Sequence, residues 1–124
     1  MTEGHGSKRL IFPKRRRLTR PSEFEDVKKK GSVERGSFLL LGVLKLTHKE
    51  QFRAGFVTSR ALGSAVERNR VRRRLREIVR QHQHQIVDGI WVVTVARNRA
   101  ASAGYRELKA EWLRLANRAS ILAA

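Results

Sequence analysis

The stretch from Ser64 to Arg80, S-A-V-E-R-N-R-V-R-R-R-L-R-E-I-V-R, constrains the fold of this chain more than any other. At about 100° per residue of helix, Val71, Leu75, Ile78 and Val79 share one arc of about 100°. Arg72, Arg76, Arg80, Arg73, Arg70 and Arg74 sweep the remaining side. One helix can therefore seat a narrow apolar stripe on a core and turn a wall of guanidinium outward. A solvated helix face normally mixes signs, because like charges four residues apart repel. Arg68, Arg72, Arg76 and Arg80 form such a ladder, with only Glu67 and Glu77 in the segment to oppose it. Guanidinium is planar, permanently charged and matches phosphate oxygens two at a time. The wall predicts a polyanion partner, and a basic stripe on one helix face points to nucleic acid.

The totals agree. Lys and Arg number 28 against 11 Asp and Glu, a formal charge of +17, which attracts nucleic acid or an anionic surface. No apolar run approaches the twenty or so residues of a membrane span, and no signal-peptide pattern is present, so nucleic acid is the better partner. The chain has 124 residues and is 40% hydrophobic, which suits one folded domain with one modest core. Cysteine is absent, which excludes disulfides and thiolate metal sites and fits a reducing cytoplasm.

Residues 1–17 lack apolar periodicity and end in Lys14-Arg15-Arg16-Arg17; they read as a mobile basic arm, with residues 18–124 as a single RNA-binding domain. Thr19 to Lys30 reads as a short helix capped by Thr19 or Ser22 and closed at Gly31, with Phe24 and Val27 on its apolar side. Phe38–Leu46 and Phe52–Ser59 read as two antiparallel strands joined by a hairpin loop, with a further short strand around Ser32–Arg35. Gly55 suits close approach of a neighbour or a ligand. Ser64 and Glu67 form a capping box for the arginine helix, which extends to about Gln85. Ile90–Ala96 reads as a buried strand parallel to the one before that helix. A last helix from near Ser102 toward Ser120 buries Tyr105, Leu108, Trp112, Leu115 and Ala119. The order αβββαβα is a two-layer α+β sandwich.

Residues 52–80, F-R-A-G-F-V-T-S-R-A-L-G-S-A-V-E-R-N-R-V-R-R-R-L-R-E-I-V-R, closely resemble the signature of the bacterial ribonuclease P protein subunit, and the likeness continues from Arg17 to the C-terminus. The resemblance implies a protein that joins a large catalytic RNA in a ribonucleoprotein endoribonuclease. That enzyme removes the 5′ leader of precursor tRNA with Mg²⁺ bound mainly by the RNA, and needs no stable protein partner. It implies a left-handed crossover between the two parallel strands and a cleft between the sheet and the first helix that holds the leader. On that pattern Arg68, Asn69, Arg70, Arg72, Arg73, Arg74 and Arg76 meet the RNA subunit. Asn69 bonds a base, a sugar or a neighbouring loop. Phe24, Ser59 and Arg60 meet the leader, Phe24 by stacking on a base unless it serves only as core. Lys28 stands where the family often has Phe, Leu41 where some relatives have Tyr, and Arg60-Ala61 replaces a lysine pair.

The chain has no convincing catalytic set of its own. His82 and His84 point to different faces of a helix and do not converge as metal ligands. Glu107 and Glu111, among Arg106, Lys109 and Arg114, read as a surface salt-bridge pattern. Glu23, Glu25 and Asp26 read as dipole and solubility residues, with help to a hydrated Mg²⁺ near the leader as the alternative. Phosphate-loop, dinucleotide and nucleophile-elbow motifs are missing.

Overall fold

A computed structural model describes residues 12–123. The elements are α1 (Pro21–Lys30), β1 (Ser32–Arg35), β2 (Leu39–Lys45), β3 (Arg53–Thr58), α2 (Ala65–His82), β4 (Ile90–Ala96) and α3 (Tyr105–Arg118), with single 3-10 turns between several of them. This is the expected αβββαβα order. The four strands form one sheet in the order β1-β2-β4-β3.

One expectation fails here. β2 and β3 do not form a hairpin, because β4 lies between them, antiparallel to β2 and parallel to β3. The reason lies in β4 itself. Ile90, Val92, Val93, Thr94 and Ala96 are all buried, so this strand needs cover on both faces and a neighbour on both edges. Its parallel pairing with β3, through the α2 crossover, is as the sequence implied.

Alternation along the strands separates two apolar clusters. Leu39, Leu41, Val43, Val92 and Ala96 face α2 and α3, where Val71, Leu75, Ile78, Val79, Leu108, Trp112 and Leu115 complete the main core. Leu18, Val27 and Val93 form a smaller cluster on the opposite face, under α1. Leu41 is therefore a core residue, and its departure from the family pattern leaves the α1 face untouched.

The arginine helix is capped as its sequence indicates. The Glu67 backbone N–H donates to Ser64 Oγ at 3.2 Å, and the Ser64 N–H donates to Glu67 Oε1 at 2.9 Å. For α1 neither Thr19 nor Ser22 is the cap. The N-cap position is Arg20, and Glu23 accepts from the Thr19 and Arg20 N–H groups at 3.0 and 2.9 Å instead. The last helix starts at Tyr105, since Asn98–Ser102 forms a 3-10 turn.

Part of the expected arm belongs to the folded body. Phe12 is buried and stacks on Phe52 at 6.2 Å between ring centroids. Arg17 bridges to Ala54 beside β3, and the Leu18 N–H donates to the Ala54 carbonyl at 2.8 Å. The apolar Phe12 and Leu18 anchor the basic run between them, so residues 12–17 lie along the sheet edge. The rest of the expected arm, residues 1–11, lies outside the described residues.

Candidate nucleic-acid interface

Two surfaces carry the site expectations, one on each side of the sheet. The first is the outer flank of α2. Its seven arginines are not equivalent. Arg68 donates to the Gly63 carbonyl and Arg74 to the Ala103 carbonyl, which fixes both to neighbouring backbone. Arg72 donates to Thr58 Oγ1 at 2.5 Å and to Asn69 Oδ1 at 3.3 Å, so Asn69 orients an arginine of its own helix. Arg80 pairs with Glu77, whose carboxyl is held below its ordinary range mainly by that guanidinium. Among the described residues Arg80 is the one arginine of α2 in an ion pair. Arg70 and Arg73 are exposed and make no hydrogen bond there.

Arg76 shows the consequence. Burial first, then the charges of Arg17 and Arg72, press its guanidinium below its usual pKa. Arg17 and Arg72 are thus close enough for their charge to act on Arg76, and no carboxylate is among the groups that offset it. Arg17 comes from the segment before α1, and the sequence alone gave no reason to place it against Arg76. The Lys14–Arg17 run flanked by Phe12 and Leu18 was the available signal. Asn69, Arg72, Arg73 and Arg76 line a shallow depression of about 290 Å³, and Arg70, Arg73, Arg74, Glu77 and Tyr105 line another of about 310 Å³.

The second surface is a trough on the α1 face. The strand register stacks residues in rows across the sheet. Gly55, Val93, Gly42 and Val33 make one row, and Val57, Val95, Leu40 and Arg35 make the next. α1 lies over the first row, and the two glycines allow it to. A Cβ at Gly55 would come within 2.5 Å of the Phe24 ring, and one at Gly42 within 3.2 Å of Val27. The close neighbour expected at Gly55 is thus Phe24. The second row is left half-covered, and with Phe24 and Lys28 it bounds a cavity of about 380 Å³. Phe24 is half-buried: it packs on the small cluster and also lines the trough. Lys28 stands at the trough wall as an exposed cation. Ser59 and Arg60 are exposed at the end of β3, beyond Val57, outside the trough lining.

The carboxylates of α1 do not fit a resident metal. Burial would raise the pKa of Glu23, but the Arg20 and Thr19 N–H groups and the Arg53 guanidinium, at 2.6 Å, outweigh it and hold the carboxyl below its ordinary value. Glu25 and Asp26 face Lys29 and Lys30 at 3.9 Å each. Among the described residues no three His, Asp or Glu side chains converge. Two other readings need correction. Glu111 is 2% exposed and accepts from the Ser37, Phe38 and Leu39 N–H groups at 3.0, 2.7 and 2.7 Å. Glu107 caps α3 through the Gly104 N–H. Of the expected salt-bridge pattern, the one ion pair among the described residues is that of the buried Glu111 with the exposed Arg114, at 3.1 Å. His82 stacks on Trp112 at 6.4 Å, apart from any ligand set.

Fold and surfaces define a class: small, strongly basic α+β domains on a β1-β2-β4-β3 sheet, with a guanidinium-faced crossover helix behind it and an apolar trough in front. The family model described as Ribonuclease P matches residues 12–120, and the chain belongs to this family. It is a protein subunit of ribonuclease P, a ribonucleoprotein endoribonuclease of tRNA processing. The ribonuclease P protein component of Roseiflexus sp. (strain RS-1) is 38% identical over 109 residues, covering 87% of this chain and 88% of its own. That of Acidothermus cellulolyticus is 38% identical over 109 residues, covering 87% and 91%. In fold the chain is similar to the RNase P protein from Staphylococcus aureus (TM-score 0.81, 22% identity, 86% and 97% covered). It is also similar to the RNase P protein from Thermotoga maritima (TM-score 0.74, 24% identity, 82% and 96% covered). No described helix is long and apolar enough to cross a membrane.

Proposed function

We propose that this protein grips the catalytic RNA of ribonuclease P with the outer flank of α2 and holds the 5′ leader of precursor tRNA in the trough under α1. The RNA subunit carries the hydrolysis, and the protein assists it by holding substrate and RNA together in the cytoplasm. The observation behind this reading is the guanidinium cluster of Arg72, Arg73 and Arg76, which lines one depression with Asn69 and no carboxylate. Repulsion of that kind is relieved by an anion, and phosphates of a folded RNA supply one at each guanidinium.

Arg70, Arg73 and Arg76 have free donors for phosphate. Arg68, Arg72 and Arg74 each commit some of their five N–H donors to protein oxygens and keep others for RNA, with Asn69 orienting Arg72. In the trough Phe24 offers a ring face to a leader base, worth about 1–3 kcal/mol. Ser59 and Arg60 meet the leader where it enters past the end of β3. The Mg²⁺ requirement is assigned mainly to the RNA subunit; among the described residues no three His, Asp or Glu side chains converge.

The test is reconstitution. Purified protein is added to a bacterial ribonuclease P RNA and precursor tRNA at low Mg²⁺. We expect leader removal well above the rate with RNA alone, and no cleavage by protein alone. Equal rates with and without protein would overturn the reading in favour of a general RNA-binding role.

A further inference from the structure

A cavity of about 770 Å³ lies on neither surface described above. It sits where β1 and β4 end, and Arg35, Arg97, Arg99 and Arg114 line it with Gly36 and Ser37. All four arginines are exposed, and no acidic residue lines the cavity. The nearest carboxylates are otherwise engaged. Glu111 is buried beneath, on three backbone N–H groups and Arg114, and Glu34 pairs with Arg118 at 3.2 Å.

The cup is built. Glu111 fixes the Ser37–Leu39 backbone, Arg97 donates to the Gly36 carbonyl at 3.0 Å, and the Arg99 guanidinium rests over the Phe38 ring at 5.8 Å. It also adjoins the trough through the strand register. Arg35 closes the floor row Val57, Val95, Leu40 at the β1 edge. Arg97 follows Val95 by two residues, just past the end of β4.

We propose that this cup is a second phosphate site for the single-stranded leader. Bases lie on the apolar floor. As the strand leaves at the β1 edge, its backbone phosphates are clasped by the four arginines. Backbone-tracking cations beside a stacking platform are the means by which single strands are held without sequence preference. The proposal rests on the leader reading of the trough.

Arg35→Ala/Arg99→Ala tests it, because neither side chain makes one of the hydrogen bonds that frame the cup. Holoenzyme with this variant is compared with wild type for affinity to precursor tRNAs whose leaders are about two or about ten nucleotides long. We expect the long-leader substrate to bind about tenfold more weakly, with its log–log salt slope reduced by about 1.4, and the short-leader substrate to weaken less than about twofold. The single charge reversal Arg35→Glu should weaken the long leader in the same direction, and unfolding midpoints check that both variants fold. Equal losses on the two substrates would place the contact on the RNA subunit or the tRNA body, and no loss on either would leave the cup without a phosphate; both overturn the proposal. A parallel Phe24→Ala variant separates the two readings. If it weakens the long leader and the arginine variants do not, the cup alone fails. If it too has no effect, the trough reading falls as well.

Discussion

Glu111 shows how much one side chain can organise. It sits on α3, yet its oxygens accept from three consecutive N–H groups of the β1–β2 turn, 72 to 74 residues away. Replacing it with Ala strands those donors, the Leu39 N–H fully inside. Each stranded buried donor costs about 1–3 kcal/mol, so we expect Glu111→Ala to lose on the order of 3–5 kcal/mol in urea unfolding. Glu107→Ala, which removes an exposed cap, should lose far less. Similar losses for the two would show that the turn does not depend on Glu111. In the sequence the two glutamates look alike, each four residues from the other among basic neighbours. What separates them is a backbone turn that only the fold brings near. Phe24 was legible as an apolar helix residue, but its double position, on the cluster and in the trough, depends on Gly55 across the sheet.

At the level of elements, α2 was legible because all its determinants are local. The Ser64–Glu67 cap, the stripe at Val71, Leu75, Ile78 and Val79, and the outward arginines lie within one helix and follow its period. The β2–β3 pairing was not, because strand order depends on which strand most needs cover, and β4 comes later in the chain. Rows such as Val57, Val95 and Leu40 exist only through that pairing, so the trough floor could not be read from spacing. The local legibility of α2 carries its own test. Arg70 and Arg73 lie off the buried stripe and make no hydrogen bond among the described residues, so Arg70→Ala/Arg73→Ala should fold with an unfolding midpoint equal to or above wild type, since like-charge repulsion is relieved. If each holds one phosphate, the log–log salt slope of binding to the catalytic RNA should drop by about 1.4, at about 0.7 per phosphate. Filter-binding titrations across salt concentrations decide it, and an unchanged slope would move the RNA contact off this helix.

Over the whole molecule the same +17 charge that draws RNA also opposes folding, and acid should make this worse by two separable routes. Glu23, Glu67 and Glu77 all have carboxyl groups held below the ordinary value of 4.5 in the folded state. A group whose folded pKa is depressed contributes stability above its unfolded value, and that contribution is lost as pH falls through the folded value. Stability should therefore be level above about pH 5 and decline below about pH 4.5. The first route is loss of the accepted hydrogen bonds, at Glu23 those from the α1 N-terminus and Arg53. The second is the added net positive charge as carboxylates protonate. Salt screens the second over roughly 10 Å at about 0.1 M and touches the first least at Glu23, whose contacts are partly buried. Unfolding midpoints measured against pH at low and high salt should thus show two components. Salt raises stability at every pH and shrinks the acid loss, but a residual decline persists, and Glu23→Gln reduces it. Stability that rises on acidification would refute the depressed carboxyls. A decline abolished entirely by salt would mean that charge repulsion alone drives acid unfolding, and that Glu23 anchors α1 no better in the folded chain than in the unfolded one.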